Sequence, residues 1–208
     1  EIIDNAVLSY VEPYASSACE MVAEVLQYIG DDGIKIKPAE ADAMYAGIVI
    51  DTNNFMNQAG VRTFEAAAFL RRNGADVVRV RKLFRDRLED YRARAEAIQK
   101  AEIYHGAFAI SVCPSEGLES PTVVGAQAAN ELLDIVGIKA SFILTQMGDT
   151  IYFSARSIDE INVQIIMESL GGGGHRTIAG AQLKGATIDE AREKLKDLIT
   201  DMMEKGEI

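Results

Sequence analysis

The sequence predicts an α/β chain built in two parts and joined by a long helix. Three observations carry this: a first third whose apolar residues recur at helical spacing, a charged amphipathic run from Arg79 to Arg94, and a last stretch of about a hundred residues where strand and helix periods alternate.

Taken in order, Ala6 to Val11 has the composition of a short strand that Pro13 stops. Ser16 or Ser17 then caps a helix with Glu20 in its first turn, and Val22, Val25, Leu26 and Ile29 repeat at helical spacing until Gly30-Asp31-Asp32-Gly33 ends the pattern. Pro38 opens a second helix, which runs through Met44 into Ile48-Val49-Ile50 and delivers Asp51 at its end. After a polar loop from Thr52 to Gly60, Thr63 caps a third helix that continues through Leu70 and closes at Asn73-Gly74.

Seven of the 21 basic residues then lie between Arg79 and Arg94, while Phe84, Leu88, Tyr91, Ala95 and Ile98 recur at spacings of four and three. This predicts one long connecting helix over 77–104. Asp86, Glu89 and Asp90 interrupt its basic run, which suits a solvated charged face better than a nucleic-acid-binding one. Beyond it the order reads strand (Phe108 to Val112), helix (Gly125 to Ile135), strand (Ala140 to Gln146), strand (Thr150 to Arg156), helix (Ile161 to Leu170), a glycine-rich turn, strand (Ala179 to Leu183) and helix (Ile188 to Met203). Met147-Gly148-Asp149 makes a hairpin turn. Thr187 or Asp189 caps the last helix, whose Ala191, Leu195, Leu198, Ile199 and Met202 form one apolar face. The expected domains are 1–76, the connecting helix 77–104, and 105–208.

Composition narrows the function. With 208 residues, 48% hydrophobic and 25% charged, the chain can bury a sizeable core, which excludes disorder, a collagen repeat and a mini-protein scaffold. A net charge of −11 opposes binding to duplex nucleic acid or to an anionic membrane surface. A nucleotide substrate stays open, because a local pocket of amides, arginines and a metal outweighs the global field. Cys19 and Cys113 match no metal or redox spacing and read as reduced, buried thiols in a reducing compartment. Apolar stretches such as Ala43 to Ile50 fall short of the ~18 residues that span a bilayer. Glu1 is not a start residue, and Glu1-Ile2-Ile3-Asp4 reads as the interior of something folded, so a piece of a longer chain is expected.

Three places carry candidate chemistry. Gly171-Gly172-Gly173-Gly174-His175-Arg176 places four glycines before two donors, a pattern that permits a nest of amides around a phosphate or, equally, a flexible loop. In Ser154-Ala155-Arg156-Ser157, Arg156 can grip a phosphate bidentately beside hydroxyl donors, although a strand-end arginine is often simply solvated. Asp51 leaves an apolar run to begin Asp51-Thr52-Asn53-Asn54-Phe55, where a carboxylate suits a hard divalent cation, or an ordinary turn. No zinc pattern, G-x-S-x-G elbow, P-loop or dinucleotide-binding glycine motif occurs.

These signals fall in order with Asn5-Ala6-Val7-Leu8-Ser9-Tyr10-Val11-Glu12-Pro13, Gly47 to Phe55, Gly60 to Ala67 and Gly171 to His175, and together they closely resemble the DHH phosphoesterases over essentially the whole chain. Within that family the resemblance is to the cytoplasmic catalytic portion of the GdpP (YybT) type of cyclic-di-AMP phosphodiesterase. It implies a partial DHH domain, a parallel sheet with flanking helices lacking its N-terminal part, joined to a small α+β DHH-associated substrate-binding domain. It also implies hydrolysis of cyclic di-AMP to 5′-pApA with two Mn²⁺ ions. Asp51 then matches a catalytic, metal-binding aspartate. Gly172, Gly173, Gly174 and His175 match the substrate-binding turn, with Arg176 beside them, and Ser154 and Arg156 lie in the segment that faces substrate.

The Asp-His-His triplet and the earlier His and Asp metal motif are absent, so this piece is expected to supply one metal ligand and to bind Mn²⁺ weakly when alone. An uncovered sheet edge in the partial domain is expected to invite homodimers. The resemblance also implies a parent anchored to the cell membrane by upstream helices. The alternatives are a DHH hydrolase of oligoribonucleotides or 3′-phosphoadenosine 5′-phosphate, and a non-catalytic nucleotide-binding module.

Overall fold

The computed structural model of the chain describes residues 5–29, 35–158 and 160–208. Glu1 to Asp4, read as the interior of something folded, and the expected helix end at Gly30 to Gly33 lie outside the described residues. The chain divides into two compact units, Glu1–Arg85 and Asp86–Ile208. The fold class is α/β, as expected, but the parallel sheet and the open sheet edge expected of residues 1–76 are not seen among the described residues, which form only helices there.

The first unit holds α1 (Ala18–Ile29), α2 (Pro38–Asp51), α3 (Val61–Arg72) and α4 (Val77–Leu83). Ser17 caps α1 by accepting the Glu20 N–H at 3.0 Å. Glu20 is itself only 1% exposed, and its carboxylate accepts the Ser16 hydroxyl and, at 2.6 Å, the Thr63 hydroxyl. A buried carboxylate held by hydroxyls in this way links α1 to α3. Thr63 is therefore not the cap of α3, as expected, but stands in its first turn: the cap is Gly60, whose N–H donates to the Thr63 Oγ1 at 3.0 Å. The small core comprises Ala23, Ala41, Ile48, Ala66, Leu70 and Ala75. Gly47 is required where α1 meets α2, since a Cβ there would lie 2.4 Å from the Cys19 sulfur.

Three expectations fail in this unit. Ala6 to Val11 is not a strand, because a strand needs a ladder partner and the described residues here offer only helices; Val7, Leu8 and Val11 stay exposed. The segment is held by side chains instead. Arg62 donates to both Glu24 oxygens at 2.6 and 2.7 Å, to Glu12 at 3.0 Å and to the Tyr10 hydroxyl at 3.0 Å. Hydrogen bonding from Arg62 holds the Glu24 carboxyl below its ordinary range, and the Tyr14 amide together with Arg62 does the same for Glu12. The second failure is the apolar stripe of α1: Val22, Val25 and Ile29 face outward, and the helix buries Glu20 and Ala23. Cys19 is half-buried rather than buried.

The connecting helix is the third. It is two helices, α4 and α5 (Leu88–Gln99), with a break that contains the boundary between the units. In one continuous helix Asp86 and Arg94 would stand about 12 Å apart along the axis. Here they form an ion pair at 2.6 Å, which requires the chain to turn between them. Arg94, 9% exposed at its side chain, also meets Glu131 at 2.6 Å and Gln127 at 3.1 Å, so α5 buries Ala93, Arg94 and Ala97 and exposes Leu88, Tyr91 and Ala95.

The second unit is a six-stranded sheet in the order β1-β2-β3-β4-β6-β5, parallel only between β2 and β3. Its strands are β1 (Glu102–Tyr104), β2 (Phe108–Cys113), β3 (Ala140–Met147), β4 (Thr150–Ser157), β5 (Gly173–His175) and β6 (Ile178–Lys184). The helices after α5 are α6 (Pro121–Leu132), α7 (Val163–Ser169) and α8 (Ile188–Lys205). One face carries Phe142, Leu144, Ile151 and Phe153 against Ile166, Met167, Leu195 and Ile199 of α7 and α8. The other packs Ala109 and Ile143 against α5 and α6.

Helix α6 starts at Pro121, earlier than expected, because Ser120-Pro121 is a good helix entry and Gly125 lies within the helix against Thr145. The turn of the β3–β4 hairpin is Gly148-Asp149, with Gly148 at φ +61°. Thr187 caps α8 in a reciprocal pair with Glu190. Cys113 is buried, and desolvation, aided by the charge of Glu96, pushes its thiol up to about 11.

Candidate functional site

The period of two along β4 points Tyr152, Ser154 and Arg156 to one face, and burial along the strand alternates accordingly. That face belongs to the α5 and α6 side of the sheet, because Ser154 stands opposite Ile143. Helices cover it over β2 and β3 but leave β6 and β5 accessible: Gln182, Gly180 and Ile178 of β6 and Gly173 and His175 of β5 are all half-buried or exposed.

The register aligns these residues in rows. Ser154 pairs with Gly180, which pairs with Gly173, so one row is a shelf of backbone ending in a hydroxyl. The next row is Arg156, Ile178 and His175. The sheet thus brings Ser154, Arg156, Gly173 and His175 onto one face.

Arg156 is half-buried. Its Nη1 donates to the Ala155 carbonyl at 2.9 Å, while its buried Nε has no acceptor and no carboxylate pairs with it among the described residues. Burial alone pushes its guanidinium below its ordinary value. An arginine so placed has donors to spare for an anion.

The glycine run is not a loop of free amides, and here the expectation needs correction. Gly171 and Gly172 donate to the Glu168 and Met167 carbonyls at 2.9 and 2.8 Å, and Gly173 to His175 is strand β5. The glycines have different tasks. A Cβ on Gly172 would lie 2.1 Å from the Gly180 carbonyl, and one on Gly174, at φ +149°, 2.4 Å from the Ile178 carbonyl, so both are demanded by the fold. A Cβ on Gly173 would meet nothing within 4 Å and would stand over the open shelf. Gly172→Ala is expected to lower the melting temperature of the chain, whereas Gly173→Ala is expected to leave melting unchanged. Equal effects of the two substitutions on melting would contradict the distinction. Arg176 is exposed at the tip between β5 and β6, and its carbonyl accepts the Val163 N–H at 2.9 Å.

A cavity of about 370 Å³ opens beside the shelf, lined among others by Thr122, Tyr152, Ser154, Gly172, Gly180 and Gln182. Thr122, Tyr152, Gly180 and Gln182 were missed from the sequence. The alternation that selected Ser154 and Arg156 on β4 also marks Tyr152, but Gln182 and Gly180 reach this face only through the β4–β6 pairing.

Asp51 lies in the other unit, exposed as the last residue of α2. The chain after it takes three successive left-handed residues, Asn53 (φ +46°), Asn54 (+58°) and Phe55 (+64°). The buried Thr52 pins this turn, its hydroxyl donating to the Ile48 carbonyl at 2.6 Å and accepting the Phe55 N–H at 3.0 Å, while Phe55 stacks on Phe64 at 5.3 Å.

Comparison with known proteins bears on both units. The DHHA1 domain family matches residues 107–201. Over 207 residues the chain is 44% identical to the cyclic-di-AMP phosphodiesterase GdpP of Geobacillus thermodenitrificans, covering 99% of this chain and 31% of that protein. It is 43% identical over 208 residues to the cyclic-di-AMP phosphodiesterase PdeA of Listeria monocytogenes, again covering 31% of it. Residues 107–201 belong to the DHHA1 domain family. The chain spans about a third of the length of these curated relatives. An exopolyphosphatase-related protein of Bacteroides fragilis has the same fold, with a TM-score of 0.81 at 20% identity over 96% of this chain and 61% of that one.

The open shelf and the cavity beside it belong to the DHHA1 domain. A two-metal centre does not fit the side chains present. Among the described residues no three His, Cys, Asp or Glu side chains come together, and Asp51 by itself offers at most two oxygens where each ion wants about six ligands. No helix among the described residues is long and apolar enough to cross a membrane.

Proposed function

We propose that the chain is the substrate-binding rear portion of a phosphodiesterase that hydrolyses cyclic di-AMP to 5′-pApA. The observation that carries this reading is the guanidinium of Arg156, which has no carboxylate partner among the described residues and is aligned with His175 beside a backbone shelf that admits close approach. Arg156 and Ser154 donate to phosphate oxygens, His175 adds a donor from the edge strand, Gly172 and Gly174 hold the shelf flat, and Gly173 keeps it bare. Arg176 extends the basic character at its tip. The kinship with two cyclic-di-AMP phosphodiesterases supports the choice of substrate.

Asp51 gives one ligand to a Mn²⁺ centre that the preceding part of the parent completes. Residues 1–85 are the rear of the DHH domain and 86–208 the substrate domain with the helix α5 that packs on it, in a cytoplasmic portion of a membrane-anchored parent. The reading rests on fixing the scissile phosphate in place, which converts hydrolysis into an oriented, nearly unimolecular event.

Two titrations test it. This chain is expected to bind 5′-pApA measurably and Mn²⁺ only weakly by calorimetry; no dinucleotide binding, or tight stoichiometric Mn²⁺ binding, contradicts it.

A further inference from the structure

The open face has two chemically different ends. Along β4, Arg156 stands at one end and Tyr152 at the other, with Ser154 between them, and each step of two residues advances about 7 Å. The Arg156 end is cationic. At the Tyr152 end the cavity has no charged side chain in its lining, only Tyr152, Gln182, Thr122 and Ser154 together with backbone. None of these four side chains has a hydrogen-bond partner among the described residues, so an aromatic ring, an amide and hydroxyls face the same space unspent.

A phosphate has no reason to settle there, since nothing at that end carries positive charge. A flat heteroaromatic ring with donors and acceptors on its rim does: it can stack on a tyrosine ring and exchange hydrogen bonds with a carboxamide, which pairs well with the N6 and N7 edge of adenine. At about 370 Å³ the cavity lies at the small end of ligand sites, enough for one nucleoside half rather than a whole dinucleotide.

We propose that this end of the shelf is a nucleobase subsite in which Tyr152 supplies the stacking surface and Gln182 reads the rim of an adenine. Tyr152 and Gln182 are register neighbours across β4 and β6, so the two groups act on the same base. The proposal rests on the phosphate-binding reading of Arg156 but assigns separate residues to a separate part of the ligand.

The test uses this chain, 5′-pApA and the abasic dinucleotide with the same sugars and phosphates. The unaltered chain is expected to bind 5′-pApA at least about tenfold more tightly than the abasic ligand. Tyr152→Leu and Gln182→Ala are each expected to weaken 5′-pApA by about five- to tenfold and to leave the abasic ligand unchanged, with Tyr152→Phe retaining most of the affinity. Equal loss for both ligands, or no loss for either, overturns the subsite. An unaltered chain that binds the two ligands equally overturns the subsite and leaves the phosphate reading standing, and one that binds neither overturns both.

Discussion

Asp51→Ala in the intact parent protein is expected to abolish metal-dependent hydrolysis of cyclic di-AMP while leaving the fold untouched or slightly firmer. The carboxylate is exposed and ends α2, with no basic residue in the last turn to offset the negative end of the helix. A carboxylate there is disfavoured by about 0.3–1 kcal/mol at low salt, so its removal costs the helix nothing. Next to it Asn53, Asn54 and Phe55 all sit in the left-handed region, a conformation that is unfavourable for a phenylalanine in particular. Among the described residues no hydrogen bond or ion pair of the Asp51 carboxylate offsets these two local costs, which is in keeping with the proposed role as a metal ligand. Even partners that merely support a metal ligand change affinity or activity by about 10–100-fold, so loss of the ligand itself is expected to exceed that range. Turnover with Mn²⁺ and thermal melting of the same variant decide the matter. Turnover within tenfold of the unaltered parent, or a clear loss of melting temperature, contradicts the role.

The second unit was legible because its residues carry their own partners. Alternation in Thr150 to Arg156 reads as a strand, and the pairing that makes it one, with β3 and β6, lies within the same stretch of chain. In the first unit the same reasoning misled. Ala6 to Val11 has strand composition, but composition does not supply a neighbour, and the segment is held instead by Arg62 bridging Glu12, Glu24 and Tyr10. Likewise the spacing of Val22, Val25 and Ile29 predicts a buried stripe, whereas α1 turns Glu20 inward because Ser16 and Thr63 satisfy its carboxylate.

The candidate site was half legible for a related reason. Residue type singled out Arg156 and His175, and chain order singled out the glycines, but which glycine is structural depends on what lies across the sheet. Gly172 meets the Gly180 carbonyl and Gly173 meets nothing, a distinction invisible in a run of identical residues. The break between α4 and α5 was hidden in the same way: the apolar spacing continues through it, and only the long-range demands of Arg94 on Asp86 and Glu131 turn the chain.

Arg156→Ala is expected to move stability and binding in opposite directions. In the free chain the guanidinium is half-buried with an unsatisfied Nε and no carboxylate among the described residues, so its desolvation cost is offset only by the Nη1 bond to the Ala155 carbonyl. Removing it is expected to leave the melting temperature equal or higher. Binding is expected to fall, because a hydrogen bond to a charged group contributes about 1.5–3 kcal/mol, or roughly 10–150-fold in affinity. Losing one phosphate contact also flattens the dependence of affinity on salt, by about 0.7 in the log–log slope for a single-stranded ligand. Arg156→Lys tests geometry against charge: an ammonium keeps the charge and the salt slope but loses the two-pronged grip, so recovery is expected to be partial. An ordinary solvated arginine would show none of this pattern, since its removal would leave 5′-pApA affinity, salt slope and melting temperature all in place.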